Sequence, residues 1–251
     1  MKKLAVLLLA TIFVVGACKK KKDEPAASTP STPSTPTSTY TNYNGLLRVY
    51  NIYSKTLGSS TPAQLNFRSG YAYFATNLIT ASTTTIATTF GGQVKVDNDT
   101  LTWDGTIYTK NATTPPGYGV VNWTVAGSGT VTAFTATCSE VFPTLTDYST
   151  FPTTISKNVG VTLTINGMTN TDKVTVQLGD GNGNGFTHAA TMNGTSATVS
   201  FPPGETATFV NGTFGYFSVY QYNDEFQTIN GKVYKFSNCH QEDIYGITIT
   251  N

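Results

Sequence analysis

Residues 174–188 read Val-Thr-Val-Gln-Leu-Gly-Asp-Gly-Asn-Gly-Asn-Gly-Phe-Thr-His. Apolar and polar side chains alternate from Val174 to Leu178, which is the period of a β-strand with one buried face. Gly179 to Gly185 is rich in glycine and asparagine, which favour turns. Phe186-Thr187-His188 then begins a second strand. The stretch therefore predicts a β-hairpin.

The same pattern of short alternating runs and turn residues extends in both directions, and we find no amphipathic helix. The predicted strands cover residues 46–53, 64–75, 93–96, 100–103, 106–109, 120–125, 130–137, 159–165, 173–178, 186–192, 196–201, 206–210, 216–222, 232–236 and 244–250. Seven or eight short strands in about 100 residues are typical of an immunoglobulin-like (Ig-like) sandwich. We therefore predict an all-β fold with two tandem antiparallel β-sandwich domains, residues 40–145 and 146–251, with the boundary in the proline-containing stretch 143–152.

The predicted folded region carries few charges. Residues 40–251 contain 9 Lys and Arg and 12 Asp and Glu, a formal net charge of −3. A nucleic-acid-binding protein needs a dense basic patch, so this composition argues against nucleic acid as a partner.

The N-terminus has the features of an export signal. Lys2 and Lys3 precede an apolar stretch of 12 residues, Leu4 to Val15. A transmembrane helix needs about 20 residues, so we interpret this stretch as a cleaved signal peptide. The run Val15-Gly16-Ala17-Cys18 resembles the lipobox of bacterial lipoproteins. The resemblance implies a signal peptide at residues 1–17 and a diacylglyceryl anchor on Cys18; an ordinary secretory signal is the alternative.

Residues 18–39 form a predicted linker between the anchor and the β-domains. Lys19 to Lys22 would lie near anionic headgroups, and the following Ser-Thr-Pro repeats favour a polyproline II stalk of roughly 60 Å. Lys22-Asp23-Glu24 resembles the export signal of surface lipoproteins of the Bacteroidota, which often carry Ig-like modules of unassigned function. We expect a lipid-anchored protein on the outer face of the outer membrane; an anchor that faces the periplasm is the alternative.

Asp180, Asn182 and Asn184 alternate before Gly185, as do the first ligands of a calcium loop. The twelfth position of such a loop should be glutamate and is Thr191. The only cofactor that the sequence suggests is thus a weakly held Ca²⁺. The alternative is a hairpin turn without metal.

Tyrosines spaced an even number of residues apart occur in two predicted strands, one of which contains Tyr71 and Tyr73. Tyr216, Tyr220 and Tyr222 share one strand face. Exposed aromatic rings stack on sugars, so these tyrosines and Trp103, beside a hairpin turn, are candidate glycan-binding residues. The alternative places such rings in a sandwich core, which is our expectation for Trp123.

Two further features concern covalent chemistry. If Cys18 carries lipid, Cys138 and Cys239 are the remaining pair for a disulfide in an exported protein; the alternative is that they stay unpaired. Asp99-Thr100-Leu101 resembles the acceptor tripeptide of O-glycosylation in the Bacteroidota, which implies a glycan on Thr100.

The sequence contains no established catalytic motif. His240-Gln241-Glu242-Asp243 and Asp224-Glu225 cluster titratable side chains, and we interpret both as solvated turns. We therefore predict no enzymatic activity and no catalytic residues. The expected function is a non-catalytic binding or structural module of the cell envelope, with glycans or other envelope proteins as partners. The alternative is a glycan-binding lipoprotein of a polysaccharide-uptake system, and a secreted hydrolase is a third hypothesis.

Overall fold

A computed structural model describes residues 42–112 and 119–251. These residues form nineteen β-strands and one short helix, α1 (Pro203–Thr206), so the prediction of an all-β fold is confirmed. The described part of the chain has no helix that is both long and apolar enough to span a bilayer. The predicted signal peptide, Cys18 and the linker to residue 39 lie outside the described residues.

The nineteen strands follow one another along both halves of the chain. The first nine are β1 (Tyr43–Thr56), β2 (Gln64–Ile79), β3 (Thr88–Thr89), β4 (Val94–Val96), β5 (Asp99–Thr100), β6 (Thr102–Trp103), β7 (Tyr108–Ala112), β8 (Val121–Val125) and β9 (Phe134–Cys138). The others are β10 (Thr144–Leu145), β11 (Thr154–Ser156), β12 (Val161–Ile165), β13 (Met168–Thr169), β14 (Lys173–Asp180), β15 (Gly185–Ala189), β16 (Thr191–Asn193), β17 (Ser196–Phe201), β18 (Phe214–Ile229) and β19 (Lys232–Thr250).

Ten strands form one large sheet that uses both halves of the chain. Its main order is β15-β14-β18-β19-β1-β2-β7-β6, while β11 pairs with β19 and β3 pairs with β2. Strand β1 runs parallel to β19 and antiparallel to β2. The prediction of purely antiparallel pairing is therefore wrong at β1–β19, where two strands from opposite ends of the chain meet, and at β11–β19, which is also parallel. No tight turn joins these strands, so nothing forces them to be antiparallel.

Two hydrophobic cores lie along one face of the large sheet, which we call the core face. The N-terminal core packs β1, β2 and the start of β19 against β4, β8 and β9, and it includes Trp123, as predicted. The C-terminal core packs β14, β18 and the end of β19 against β12 and β17. Strand β19 supplies Tyr234 and Phe236 to the first core and Ile244 to the second, so one strand passes through both.

A buried polar band separates the two cores on the core face. Asn238, His240 and Glu242 alternate along β19 between its two apolar ends, and their exposed fractions are 1%, 6% and 0%. The interpretation of the run around His240 as a solvated turn is therefore wrong, because these side chains lie in the middle of a strand beneath other parts of the protein.

The polar band binds the segment that crosses from one core to the other, residues 137–148. Asn238 donates a hydrogen bond to the backbone oxygen of Glu140, and beside the band, on β18, Asn223 donates one to the backbone oxygen of Val141 (2.9 Å). Glu225 accepts one from the backbone nitrogen of Ser139 (2.7 Å), so the Asp224-Glu225 pair also lies within a strand rather than in a turn. Buried backbone N–H and C=O groups need hydrogen-bond partners. The polar side chains of β18 and β19 supply them, which allows residues 137–148 to pass between two apolar cores.

The predicted boundary between residues 145 and 146 falls within this crossing segment. The cores divide the chain at about that place, but the large sheet continues across it, and the described residues belong to one compact unit. The two halves thus have separate cores and a shared sheet.

Candidate functional site

The second face of the large sheet, which we call the outer face, carries the predicted tyrosine row. On β18, Phe217 and Val219 point into the C-terminal core. Side chains alternate along a strand, so Tyr216, Tyr220 and Tyr222 lie on the opposite side, and all three are partly exposed. The three smaller sheets of the described chain pack on the core face, so the row is not enclosed between sheets.

Neighbouring strands extend this aromatic row across the outer face. Tyr222 is the register partner of Cys239 on β19, and Cys239 in turn pairs with Tyr50 on β1. Buried Cys239 thus lies between two tyrosines. Burial raises the pKa of Tyr220 and that of Tyr222 above the usual value, so both hydroxyls are neutral at physiological pH and can donate and accept hydrogen bonds.

Arg48 fills the centre of the outer face. Its guanidinium lies 4.7 Å from the ring centroid of Tyr222 and 5.8 Å from that of Tyr50, which is within the range of cation–π attraction. Nη1 of Arg48 also donates a hydrogen bond to the Tyr50 hydroxyl (3.1 Å). These contacts hold the two rings in fixed positions.

Two further aromatic rings lie over glycines at the end of β14. A Cβ atom on Gly179 would come within 2.6 Å of the Tyr216 ring, and one on Gly181 would come within 2.6 Å of the Phe214 ring. Neither glycine has the positive φ that would explain it by backbone conformation. Their role is therefore steric, because each leaves room for a ring directly above the backbone. Phe214 remains 63% exposed.

A shallow groove of about 370 Å³ lies beside these rings. Its lining combines aromatic side chains with planar polar ones: Gln177, Asp180, Gly181, Phe214, Tyr216, Ser218, Gln241, Asp243 and Tyr245. Oδ1 of Asp243 accepts hydrogen bonds from Ser218 Oγ (2.6 Å) and Gln241 Nε2 (3.2 Å). Rings beside fixed hydrogen-bonding groups are the lining of a polar-ligand site.

Trp103 does not join this face. It is the register partner of Tyr108, packs against the N-terminal core, and its ring centroid lies 4.7 Å from that of Tyr108. The structure therefore brings together Tyr216, Tyr220 and Tyr222 and places Trp103 on the core side of the sheet.

The loop suggested for calcium is closed by its own hydrogen bonds. Oδ1 of Asp180 accepts from the backbone nitrogens of Asn182 and Asn184, and Oδ2 accepts from Asn184 Nδ2 and the backbone nitrogen of Val210, each at 3.0 Å. Burial opposes ionisation, but these four hydrogen bonds prevail and hold the pKa of Asp180 below its usual value. N–H groups occupy the carboxylate where a cation would bind, so the hairpin turn fits the geometry and the calcium loop does not.

The described residues contain no cluster of three or more His, Cys, Asp or Glu side chains able to hold a metal ion. Cys138 and Cys239 are both buried free thiols. The candidate disulfide is not formed, because Cys138 belongs to the N-terminal core while Cys239 lies on the outer face, with the large sheet between them. Burial raises the pKa of Cys138 to about 12, so its thiol is protonated and unreactive at neutral pH.

His240 and Glu242 form a buried pair whose contacts are internal. Nε2 of His240 shares a hydrogen bond with Glu242 Oε2 (2.9 Å), and Glu242 Oε1 accepts one from the Tyr148 hydroxyl (2.6 Å). The Tyr53 ring stacks on His240 with a centroid distance of 4.5 Å. The pair therefore fastens the crossing segment to the sheet.

The predicted modification sites have different positions. Thr100 is exposed on β5, next to Asp99, whose carboxylate forms an ion pair with Arg68 (3.0 Å). Its O-glycosylation stays a prediction. Cys18 lies outside the described residues.

Sequence reasoning found the tyrosines of β18 but missed Arg48, Tyr50 and the groove residue Asp243. Arg48 and Tyr50 alternate on β1, which is a signal that they share a face. The pairing of β1 with β19 has no local signal. No family model matches the sequence, and the comparisons found neither a curated protein nor a solved structure similar to it. The geometry of the outer face therefore has to support any functional conclusion.

Proposed function

We propose that this protein is a non-catalytic glycan-binding protein of the cell envelope, and that the outer face of its large sheet is the binding surface. The observation that carries the proposal is the position of Tyr216, Tyr220 and Tyr222, partly exposed on the face opposite both cores. Rings fixed on a sheet offer flat apolar surfaces to the C–H faces of sugars, while nearby polar groups bind hydroxyls.

The chemistry of the face favours a glycan over a protein partner. Protein interfaces have an apolar, well-packed centre. At the centre of this face, Arg48 is engaged with Tyr50 and Tyr222, and beside it Ser237 Oγ donates to Asp224 Oδ1 (2.6 Å). Toward Leu46 and Tyr73 the same face carries a buried apolar cluster, but around Arg48 rings alternate with hydrogen-bonding groups, as a ligand rich in hydroxyls requires.

We also propose that the protein is held by lipid on Cys18 and that residues 19–39 hold the β-region away from the membrane. The lipobox-like run and the Ser-Thr-Pro repeats support this placement, and a position on the outer membrane surface suits a protein that captures external glycans. The two cores support a further proposal, that the β-region consists of two Ig-like sandwich modules fused through one sheet.

Glycan-array binding by the purified full-length protein tests the function. Tyr222→Ala removes a ring from the centre of the face and should weaken binding by at least about fivefold, since an aromatic contact contributes roughly 1 kcal/mol beyond its buried area. Tyr222→Phe keeps the ring and should bind nearly as well. Phe90→Ala removes an exposed ring beside Trp103, away from the face, and should have no effect.

Circular dichroism must show that each variant is folded. Glycan binding that survives Tyr220→Ala and Tyr222→Ala together would contradict the proposal, as would a complete absence of glycan binding. Capture of an envelope protein that the same double variant abolishes would assign the face to a protein partner instead.

A further inference from the structure

One row of polar side chains crosses five strands of the outer face. Gln177 on β14 pairs in register with Ser218 on β18, Ser218 pairs with Asp243 on β19, Asp243 pairs with Ser54 on β1, and Ser54 pairs with Gln64 on β2. We call these residues the polar row. Register partners lie on the same face, so the row is continuous, and four strand spacings give it a length of about 19 Å.

Two shallow grooves lie along the polar row. The groove of about 370 Å³ contains its first three members, and a second groove of about 200 Å³ contains Ser54 and Gln64 with Thr56, Ser59, Thr61 and Pro62. Because Ser54 and Asp243 are register partners on adjacent strands, the grooves are neighbours across the sheet. The small side chains of Ser218 and Ser54 keep the floor low between longer neighbours.

Aromatic side chains border the polar row on both sides. Tyr216 and Tyr245 stand on one side, with ring centroids 6.4 Å apart. Tyr220, two residues from Ser218, and Phe67, the register partner of Ile52, stand on the other side. The row is therefore a trough of hydrogen-bonding groups between two lines of rings.

The charges of the trough select against anionic ligands. Of the residues that line the two grooves, Asp180 and Asp243 are the charged ones, and both are acidic. The cation beside the second groove, Lys55, has its Nζ bound by the backbone oxygens of Ser59 and Thr61. The carboxylate of Asp180 is saturated by its own turn. Asp243 makes its hydrogen bonds through Oδ1, so Oδ2 remains for a ligand. A carboxylate oxygen accepts strong hydrogen bonds from hydroxyl groups and repels uronates and sulfates.

We infer that the polar row is the path of a linear, uncharged polysaccharide, which lies across the strands with its hydroxyls on the row and its ring faces against the bordering aromatics. This inference rests on the proposed function and adds the direction of the chain and the class of glycan. A trough about 19 Å long accommodates several sugar rings, so an oligosaccharide binds better than a monosaccharide.

Isothermal titration of the full-length protein with neutral gluco- and manno-oligosaccharides of two to six units tests the inference. Affinity should rise with length and then level off. Asp243→Asn keeps the size of the side chain and removes its charge, and should weaken binding about tenfold, as expected for the loss of a charged hydrogen bond. Gln64→Ala, at one end of the row, should weaken the longer ligands severalfold and leave the disaccharide unchanged.

Gln93→Ala is the matched control, since Gln93 is exposed and lies outside both grooves, and it should bind as the wild type does. If Tyr222→Ala abolishes glycan binding while Asp243→Asn and Gln64→Ala leave it intact, the proposed function stands and the polar row is not the path. Tighter binding of polygalacturonate or a sulfated glycan than of the neutral series would also overturn the inference. If neither neutral nor anionic glycans bind, the proposed function itself fails.

Discussion

At the scale of single residues, Asp180 shows how a motif that suggests a metal can be a turn. Its carboxylate accepts hydrogen bonds from three backbone nitrogens and one side-chain amide. Asn182 and Asn184 therefore serve the turn through their nitrogen atoms, whereas a calcium ligand would use oxygen. The spacing of Asp and Asn is the same in both cases, so the sequence alone could not separate them.

We predict that Asp180→Asn lowers the free energy of unfolding by roughly 2 kcal/mol or more, because the amide group of asparagine places a donor against N–H donors in a buried site. Urea denaturation at pH 7 measures this loss. Asp147→Asn, at a surface carboxylate that accepts a hydrogen bond from the backbone nitrogen of Ser149, should change stability little. Millimolar CaCl₂ should leave the melting temperature of the wild type unchanged; an increase that Asp180→Asn abolishes would restore the calcium loop.

The same residue predicts a dependence of stability on pH. The pKa of Asp180 in the folded protein lies below its ordinary value of 3.8. The carboxylate therefore stabilises the fold above that ordinary value, and its contribution is lost as pH falls through the lower, folded-state pKa. Denaturation curves at pH 7 and pH 3 should show a larger acid-induced loss of stability in wild type than in Asp180→Asn. Equal losses in both proteins would contradict the assignment.

A substitution at Gly179 should weaken glycan binding without lowering the stability of the fold. Gly179→Ala would place a Cβ against the far end of the Tyr216 ring, and that side chain can rotate away. We therefore predict a nearly unchanged melting temperature together with weaker glycan binding in titration. Gly204→Ala meets no atom within 4 Å and should change neither property. Unchanged binding by Gly179→Ala would show that the position of the Tyr216 ring is irrelevant to the ligand.

At the scale of elements, most strands could be predicted because apolar alternation and turn residues mark them. Strand β19 is the instructive exception. Alternation predicts separate strands at 232–236 and 244–250, whereas the structure has one strand, Lys232–Thr250. The apolar pattern stops where the strand leaves one core and resumes where it enters the other. The absence of Gly and Pro from residue 232 to residue 245 is the signal that could have indicated a continuous strand.

The dipeptide Asp104-Gly105 predicts a type I′ hairpin turn, but the turn lies one residue later. Gly105 has a φ of 104°, but Asp104 has no positive φ, as a type I′ turn at these two residues requires. Oδ1 of Asp104 accepts hydrogen bonds from the backbone nitrogens of Thr106 and Ile107 (2.8 Å each). The side chain of Asp104 thus shifts the turn to Gly105 and Thr106, an effect that a dipeptide preference does not include.

The polar band makes its own prediction. Glu242→Ala removes the acceptor of the Tyr148 hydroxyl and the partner of His240 in a site with no solvent exposure. The free energy of unfolding should fall by about 3–5 kcal/mol, as for other buried pairs that lose one member. Glu242→Gln keeps one oxygen acceptor and should lose less. Chemical denaturation measures both variants, and an Ala variant as stable as the wild type would show that the crossing segment is held by other contacts.

At the scale of the whole molecule, the predicted anchor determines where the binding face operates. If lipid on Cys18 holds the protein, Cys18→Ser should move it from the membrane fraction to the soluble fraction. Surface proteolysis of intact cells should digest the wild-type protein if the anchor faces outward. A Cys18→Ser variant that remains with the membrane would contradict the lipobox interpretation, and protection from the protease would favour the periplasmic side.

The binding face itself could be predicted only in part, because it depends on contacts between distant parts of the chain. The three tyrosines of β18 share a strand, so alternation alone places them together. Arg48 and Tyr50 reach them only because β1 pairs beside β19, about 190 residues later. The pairing depends on the completed sheet and on both cores, and a single sequence has no local pattern that specifies it.

The shared sheet predicts that the two cores unfold together. Strand β19 supplies side chains to both, so unfolding one core removes support from the other. Trp103 and Trp123 both belong to the N-terminal core, and their fluorescence therefore reports on it. Leu163→Ala, in the C-terminal core, should lower the free energy of unfolding by about 2–5 kcal/mol. It should also shift the denaturant midpoint of the tryptophan fluorescence as far as Leu47→Ala, in the N-terminal core, does. A fluorescence midpoint that Leu163→Ala leaves unchanged, with a second transition in circular dichroism, would mean that the cores are independent despite the common sheet.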